Sequence, residues 1–268
     1  MSPGAMSFLM EMVVGALRLP ESRAITNLDD PIATILHGQI IRRKPFLFRV
    51  YKEFYRRLAN GLGAVGPDST VVELGSGGGF IKEVIPSVVT SDILQVPDVD
   101  IRFSAERMPF ATESVDAFLM INVFHHVKEP REFLRELDRT LRPRGRILMI
   151  EPSNTVWGRF VSSHFHHEDF DPTSGWRVDG QGPLSQANGA LPWIVFSRDR
   201  AIFEREFPRL RITAVEPHTP LKYLISGGLS IRQLLPGSCY RLVDGLEYLL
   251  RPFNRWLGMF YYVALSKS

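Results

Sequence analysis

The sequence has little cysteine and no long apolar run. Cys239 is the single cysteine among 268 residues, so the chain cannot form an internal disulfide, which fits a reducing compartment such as the cytoplasm. No apolar stretch reaches the roughly 18 to 20 residues needed to span a bilayer. Repeats and low-complexity tracts are also missing. We therefore expect neither a disulfide-rich secreted protein nor an integral membrane protein.

The sequence also lacks a strong excess of either charge. With 32 basic and 29 acidic residues, the formal net charge is only +3, and no aromatic and basic platform stands out. A nucleic-acid partner is therefore not expected. Hydrophobic residues make up 44% and charged residues 23% of the chain, which is ordinary for one large globular domain.

Short apolar strands alternate with helical patterns through the middle of the chain. Pro130 begins a helix with an apolar face, and Pro143 and Gly145 end it. This alternation predicts an α/β fold with a doubly wound, mostly parallel sheet and ligands at the carboxyl ends of its strands. The predicted strands are Thr70–Leu74, Val88–Ser91, Ile101–Ser104, Val115–Ile121, Arg146–Ile150, Arg211–Val215 and Met259–Leu265.

A glycine turn follows the first strand, in the stretch V-V-E-L-G-S-G-G-G-F. Gly75, Gly77 and Gly79 end the strand with residues that permit positive φ and close approach of a ligand to the main chain. The dinucleotide spacing G-x-G-x-x-G fails, because Phe80 stands where the third glycine belongs. The Lys and hydroxyl of a P-loop are missing as well. The turn therefore predicts a nucleotide-type ligand of another class.

Four linked blocks resemble the class I S-adenosylmethionine-dependent methyltransferases, in the small-molecule branch called type 11 or ubiquinone-biosynthesis-like. The resemblance spans about residues 70–152. The blocks are V-V-E-L-G-S-G-G-G-F, the acid of V-V-T-S-D-I, S-A-E-R-M-P-F-A-T-E-S-V-D, and N-V-F-H-H-V-K-E-P with the later R-E-L-D-R-T-L-R-P-R-G-R-I-L-M-I-E-P. The resemblance implies a Rossmann-like sheet of seven strands, with the last strand antiparallel, and S-adenosylmethionine as cofactor.

The resemblance also implies where the cofactor binds. The glycine turn, with Ser76, would pass under the amino-acid part, and Glu73 would accept hydrogen bonds from turn amides or help to hold the ammonium group. Asp92 would accept from the two ribose hydroxyls, for which a carboxylate is well suited. The adenine would lie beside a short polar block, in which Ser104 replaces the usual aspartate and would accept more weakly. The expected cofactor-binding residues are Glu73, Gly75, Ser76, Gly77, Gly79, Asp92, Ser104, Ala105, Glu106 and Asn122.

Histidines provide the candidates for acceptor chemistry. Asn122, His125 and His126 follow the fourth strand, where they would face the transferred methyl group, and a histidine has a suitable pKa for a general base. A second cluster, S-H-F-H-H-E-D-F-D, contains His167. Its many potential ligands suggest a metal site, but their spacing is unlike a closed zinc site. No metal is therefore expected, and a metal site remains an alternative to an acceptor-binding or general-base role. We interpret His125, His126 and His167 as candidate bases; packing for the pair and a solvated loop for the cluster remain alternatives.

The remaining segments are predicted to frame this core. We expect a single domain with a helical cap at 1–62, a cofactor-binding core at 70–152, an acceptor-site insertion at 153–200, and C-terminal strands at 201–268. A helical face recurs from Met6 to Leu17, and Pro45–Leu62 forms a basic amphipathic helix, which is typical of a solvated surface or of a membrane contact. Residues 221–257 combine apolar, aromatic and arginine residues, which favours peripheral membrane contact, a homo-oligomer or ordinary packing.

The functional prediction is methyl transfer to an oxygen, nitrogen or carbon of a small molecule, with an apolar or a sugar- or lipid-linked acceptor favoured. The aligned displacement requires the protein mainly to orient the acceptor and to exclude water. The alternative is a catalytically inactive module that binds S-adenosylmethionine and acts as a partner or regulatory subunit.

Overall fold

The computed structural model describes residues 15–64, 66, 68–165, 168–180 and 182–268. The helical face predicted from Met6 to Leu17 lies almost entirely outside these residues, and His166 and His167 lie outside them as well. None of the helices in these ranges combines the length and the apolar composition that crossing a bilayer requires.

Within the described ranges, seven strands form one sheet in the order β3-β2-β1-β4-β5-β7-β6. The first five strands pair in parallel, and β7 runs antiparallel to both β5 and β6. The predicted fold class is therefore confirmed. The strands are β1 (Val71–Leu74), β2 (Val89–Asp92), β3 (Ile101–Arg102), β4 (Val115–Ile121), β5 (Leu141–Pro152), β6 (Leu210–His218) and β7 (Phe260–Lys267).

Strand β5 is longer than the sequence predicts. It begins at Leu141, directly after the preceding helix, and the register against β4 shifts between the pairs Val115 with Leu141 and Ala117 with Arg146. Pro143 and Gly145 lie in this irregular stretch, where a missing amide proton or side chain is tolerated. They therefore form a bulge within the strand rather than a break before it.

The helices cover both faces of the sheet. Pro31, Pro45 and Pro130 each stand in the first turn of a helix, where the missing amide proton costs no hydrogen bond. The helices used below are α1 (Pro20–Ala24), α2 (Pro31–Arg43), α3 (Pro45–Leu62), α4 (Pro130–Thr140), α5 (Val156–Phe165), α6 (Leu191–Trp193), α7 (Arg200–Glu206), α8 (Lys222–Ser226), α9 (Tyr240–Leu250) and α10 (Asn254–Leu257).

Two apolar clusters lie on opposite faces of the sheet, because successive strand residues point to opposite sides. Val71 and Leu119 pack with α3, whereas Val72 and Phe118 pack with α4. Helix α3 buries its apolar face completely at Phe46, Leu47, Val50 and Leu58. That burial corrects the membrane alternative for Pro45–Leu62, since the face that would enter a bilayer already lies against the sheet.

Candidate functional site

The carboxyl ends of β1, β2 and β4 open on a cavity of about 530 Å³. The strand order reverses between β1 and β4, which is the point where doubly wound sheets bind their ligands. The glycine turn lies at one end of this cavity and the histidines after β4 at the other. The sheet therefore brings the two sets of candidate residues to a common space.

The glycine turn departs from β1 in a left-handed conformation. Gly75 has φ of +61° and Gly77 has φ of +50°, values that side chains rarely adopt. The Ser76 amide donates to the Ser91 carbonyl at 2.8 Å, and the Ser76 hydroxyl accepts from the Ser91 amide at 3.2 Å. These bonds fix the turn to β2, so that its main chain faces the cavity in one conformation.

Gly79 and the unpredicted Gly78 serve packing. A Cβ on Gly79 would lie 2.3 Å from the Tyr55 hydroxyl, and one on Gly78 would lie 2.4 Å from the Gly38 Cα on α2. Thr34 of the same helix lies 3.3 Å from where a Cβ of Gly77 would stand. Helix α2 therefore packs directly on the turn. This contact depends on Gly38 in the helix and on Gly78 in the turn.

Two buried carboxyls stand beside the turn. Asp92 accepts hydrogen bonds from the Gly77 amide at 2.9 Å and from the Leu94 amide at 2.8 Å. Burial raises the pKa of Asp92, although these amides oppose the change. Burial also raises the pKa of Glu73 to about 8, and its Oε2 has no hydrogen-bond partner among the described residues. Glu73 therefore offers an unmatched acceptor next to the turn.

The polar block after β3 also lines the cavity. The Ser104 hydroxyl accepts from the Glu106 amide at 3.3 Å, and the Glu106 carboxylate accepts from the Glu129 amide at 2.9 Å. Ala105 packs at the edge of the apolar cluster on the α4 face. The carboxylate of Glu106 thus connects this block to the start of α4.

Asn122 is the first residue after β4 and adopts a positive φ of 55°. Its amide donates to the Ile150 carbonyl at 2.8 Å, and its side chain lies near the buried Tyr51 hydroxyl, where it opposes the rise in the pKa of Tyr51 that burial causes. The Oδ1 atom is buried and has no partner among the residues described. Asparagine tolerates this left-handed conformation better than most residues do, and here it turns the chain toward the histidines.

His125 is fixed by a fully buried glutamate. Its Nδ1 lies 2.7 Å from Oε2 of Glu151, and Oε1 of Glu151 accepts from the Val123 and Phe124 amides at 2.9 and 2.8 Å. The other ring nitrogen, Nε2, lies 3.3 Å from Oε2 of Glu168. Burial alone would lower the pKa of His125, but the hydrogen bonds to both carboxylates outweigh it and raise the pKa to about 10.

His126 lies beside His125, and its pKa is shifted in the opposite direction. The two ring centroids are 4.2 Å apart. Nδ1 of His126 lies 2.9 Å from the Gln186 carbonyl oxygen, and Nε2 lies 3.6 Å from Oε1 of Glu168. Burial and the charge on His125 lower the pKa of His126 to about 4. Of the pair, His126 is therefore the one that stays neutral at neutral pH.

The long connection after β5 forms part of the cavity wall. Asp29, which precedes α2, accepts from the Leu184 and Ser185 amides at 2.7 and 3.0 Å. Helix α5 contributes Val161 and Phe165 to the wall. The candidate base His167 lies outside the described residues. The further apolar and aromatic lining comprises Ile41, Tyr51, Phe170, Tyr223, Leu224 and Phe260.

The sequence assigns no role to Glu151, and it marks Glu168 only as one of several potential ligands in the histidine-rich cluster. Glu151 lies near the end of β5 in the run I-L-M-I-E-P, and Glu168 belongs to the histidine-rich cluster. Because the carboxyl ends of adjacent parallel strands meet at one edge, an acid at the end of β5 could have been paired with the histidines after β4. The approach of Glu168 depends on the folding of the insertion, for which the sequence carries no local signal.

Comparison with protein families matches residues 72–149 to the model described as "Methyltransferase domain". A comparison with curated proteins finds no match. Among solved structures, geranyl diphosphate C-methyltransferase from Streptomyces coelicolor, in complex with Mg²⁺, geranyl diphosphate and S-adenosyl-L-homocysteine, is 14% identical with a TM-score of 0.50. The alignment covers 87% of this chain and 84% of that one.

Two further structures are similar at the level of the fold. A methyltransferase from Thermotoga maritima, described as a possible histamine N-methyltransferase, is 14% identical with a TM-score of 0.50, and the alignment covers 87% and 99% of the chains. A Haloferax volcanii complex of the Trm112 activator with a protein described as a methyltransferase gives 14% identity, a TM-score of 0.51, and coverage of 90% and 97%. At these identities the likeness concerns the fold alone.

Proposed function

We propose that this chain methylates a small, apolar acceptor. The premise is that the chain is an S-adenosylmethionine-dependent methyltransferase with a type 11 methyltransferase domain. The observation that carries the proposal is that one cavity is lined by the glycine turn, by His125 and His126, and by a wall of aromatic side chains. A cavity of this size and lining is typical of sites for small apolar molecules.

The residues around the turn fit the cofactor. The left-handed Gly75 and Gly77 leave the main chain open to the amino-acid part, and the unmatched Oε2 of Glu73 suits an ammonium group. We propose that Asp92 accepts from the ribose hydroxyls while its amide partners hold it in place. Bound there, the cofactor supplies an electrophilic methyl group.

The residues that follow β3 and β4 would complete this half of the site. We propose that Ser104 and Ala105 lie beside the adenine and that Glu106 holds their loop through its bond to the Glu129 amide. Asn122 would position the acceptor end of the cavity through its contact with Tyr51.

The acceptor would lie between the aromatic wall and the histidines. Displacement at a sulfonium needs an aligned acceptor and little water, and the buried lining supplies both conditions. We propose that the polar end of the acceptor meets the histidine pair, in which His126 is neutral and His125 is held by Glu151. His167 stays a second candidate.

An exposed apolar surface supports a lipid-derived acceptor. Leu242 and Leu249 on α9 are 76% and 70% exposed, and Phe253 and Trp256 are exposed nearby. Arg255 stacks on Trp256 at 3.5 Å from the ring centroid. Apolar and aromatic side chains mixed with arginines are typical of helices that lie on anionic membranes.

Helix α5 connects this surface to the cavity. Its Val161 and Phe165 line the cavity, whereas its Val156 and Phe160 are exposed. Helix α10, which carries Trp256, packs against α5. We therefore propose that the protein binds an anionic lipid surface with α9 and α10 and takes its acceptor from there.

Labelled S-adenosylmethionine, incubated with the protein and with cell extracts divided into lipid and aqueous fractions, tests the acceptor. We expect label in a molecule that partitions into organic solvent, and none with the Gly77→Val variant. Label only in a water-soluble product would contradict an apolar acceptor. Binding of S-adenosylmethionine by calorimetry, with no labelled product from any fraction, would favour the inactive module.

Vesicle sedimentation tests the membrane surface. We expect binding to vesicles of phosphatidylserine and phosphatidylcholine, weaker binding to phosphatidylcholine alone, and loss of binding in Leu242→Ser/Leu249→Ser. Val161 and Phe165 remain unchanged in that variant, so its cavity wall is intact. A dimer that the same two substitutions dissociate, with no vesicle binding by the wild type, would assign the surface to a second copy of the chain instead.

A further inference from the structure

Three side chains converge at the acceptor end of the cavity. Nε2 of His125 lies 3.3 Å from one oxygen of Glu168, and Nε2 of His126 lies 3.6 Å from the other. One ligand atom of each residue falls within 4.8 Å of the others. Two imidazole nitrogens and a carboxylate therefore point toward one small volume beside the cavity.

The opposite nitrogen of each histidine is held from behind. Nδ1 of His125 lies 2.7 Å from the Glu151 carboxylate, and Nδ1 of His126 lies 2.9 Å from the Gln186 carbonyl oxygen. Histidines that bind metals almost always donate their other ring N–H to a carboxylate or a main-chain carbonyl, which fixes both tautomer and ring orientation. Both rings show that arrangement with Nε2 toward Glu168.

The contact of His125 with Glu168 is a hydrogen bond of 3.3 Å, longer than the roughly 2.7 to 2.9 Å of strong ionic hydrogen bonds, and the contact of His126 is longer still at 3.6 Å. Two ligand atoms at about 2.05 Å from a tetrahedral metal lie about 3.3 Å apart. The separations of 3.3 and 3.6 Å are thus close to those between ligands of one ion. All three donors lie within 4.8 Å of one another, so side-chain rotations that draw them closer would bring them to bonding distance of one ion.

We propose that His125, His126 and Glu168 bind a divalent first-row transition metal ion such as Zn²⁺ or Fe²⁺. Two imidazoles and one carboxylate suit these ions, whereas Mg²⁺ and Ca²⁺ prefer sites made of oxygen. This proposal revises the expectation of a metal-free site, which considered only the spacing within the histidine-rich cluster. The pair after β4 provides the nitrogen ligands that this spacing could not show.

Three protein ligands leave coordination positions for a small molecule. His125, His126 and Glu168 all line the cavity, so these positions would face the place proposed for the acceptor. An acceptor with an oxygen or nitrogen donor would bind there. The metal site itself does not depend on the proposed methyl transfer and can be tested separately.

Metal binding is tested with the tag-free protein after treatment with a chelator. Calorimetry with Zn²⁺ should show one ion per chain at micromolar or tighter Kd, Co²⁺ should give a visible d–d spectrum, and Mg²⁺ should not compete at millimolar concentration. His126→Ala and Glu168→Gln should each weaken Zn²⁺ binding at least tenfold. Glu151→Gln should weaken it by about 10 to 100 times, because Glu151 positions His125.

His164→Ala is the matched control, since His164 is exposed on α5 and bonds its own helix at the Phe160 carbonyl. It should leave the affinity for Zn²⁺ unchanged. Glu168 is partly exposed, so Glu168→Gln keeps a variant that folds, which circular dichroism verifies. Absence of stoichiometric Zn²⁺ binding, or binding that none of the cluster variants weakens, would overturn the proposal. S-adenosylmethionine binding, measured on the same samples, separates this outcome from a failure of the proposed function.

Discussion

The two ends of the cavity are built in different ways. At the glycine turn, the polar groups are held by main-chain atoms of nearby residues, as where Asp92 accepts from an amide 15 residues before it. At the histidine end, each histidine side chain is held by a residue far along the chain, His125 by the Glu151 carboxylate and His126 by the main-chain carbonyl of Gln186. His125 and Glu151 are 26 residues apart, and His126 and Gln186 are 60 apart.

This difference predicts how each end responds to substitution. A main-chain site tolerates many side-chain changes and fails when the backbone conformation is altered, since the amides themselves make the contacts. A site made by a buried side-chain network fails when one member is removed and its partners are left unmatched. Substitutions at the two ends should therefore separate loss of binding from loss of stability.

The largest effect is expected from Gly77→Val. Valine at φ of +50° is strained, and its Cβ would stand 3.3 Å from Thr34 Cγ2 in the space beside the turn. We expect no detectable binding of S-adenosylmethionine by calorimetry, with circular dichroism close to wild type. Gly245→Ala on α9, where a Cβ meets nothing within 4 Å, is the control. Wild-type affinity in Gly77→Val would remove the turn from the binding site.

Glu151→Ala should have the largest effect on stability. It leaves two main-chain amides and the buried His125 without their acceptor, and breaking such a pair costs about 3 to 5 kcal/mol. Urea unfolding measures the free energy of unfolding. Glu204→Ala, at an exposed pair with Arg200, should change it by less than about 0.5 kcal/mol. If Glu151→Ala lowered the free energy of unfolding as little as Glu204→Ala does, the buried contacts of Glu151 would stabilise the protein no more than an exposed ion pair.

Asp92→Ala should weaken cofactor binding by about 1 to 3 kcal/mol through the loss of hydrogen bonds to an ionised acceptor. Its own amide partners can be satisfied by water in the cavity, so we expect a smaller loss of stability than in Glu151→Ala. Calorimetry compares the cofactor affinity of Asp92→Ala with that of Asp179→Ala, a control at a side chain that is 95% exposed. Urea unfolding compares the stability of Asp92→Ala with that of Glu151→Ala. Unchanged affinity would place Asp92 outside the site.

Cofactor affinity should depend on pH through Glu73. Its pKa of about 8 in the folded protein means that the carboxyl is protonated below pH 8, whereas an ammonium group binds the ionised form. Affinity should therefore rise about tenfold per pH unit from pH 6 toward 8 and then level off, with one proton released on binding below pH 8. Calorimetry at pH 6, 7 and 8 measures this slope.

Glu73→Gln removes the titrating group and should give a flat profile over the same range. A wild-type affinity that does not change between pH 6 and 8, or a slope that persists in Glu73→Gln, would show that Glu73 does not face the positive charge.

The sequence predicts where the turn and the acid of the glycine end lie because their signals are local, and the cofactor-binding role of these residues stays a prediction. The turn, the acid ending β2 and the alternation of strands and helices can each be recognised within a few residues, and the seven-stranded sheet confirms the predicted fold class. The interpretation of the glycines is less complete. Gly79 makes room for Tyr55 and Gly78 for α2, since packing against distant helices leaves no mark on the turn itself.

The histidine end could be predicted only in part. His125 and His126 were recognised from their place after β4, but their different pKa values arise from Glu151, Glu168 and the Gln186 carbonyl. These partners come from β5 and from the insertion. Their approach depends on how a long connection folds over the sheet, and neither periodicity nor spacing carries that information.

The contact between Gly38 and Gly78 restricts which residues can replace them in related sequences. Each glycine occupies the space that a Cβ on the other would need, so the size allowed at one position depends on the other. Gly38 lies in the cap predicted at 1–62 and Gly78 in the core predicted at 70–152. The residue that the cap can carry at position 38 therefore depends on the residue that the core carries at position 78. Related chains should keep small residues at both positions, or replace both while moving α2 away from the turn.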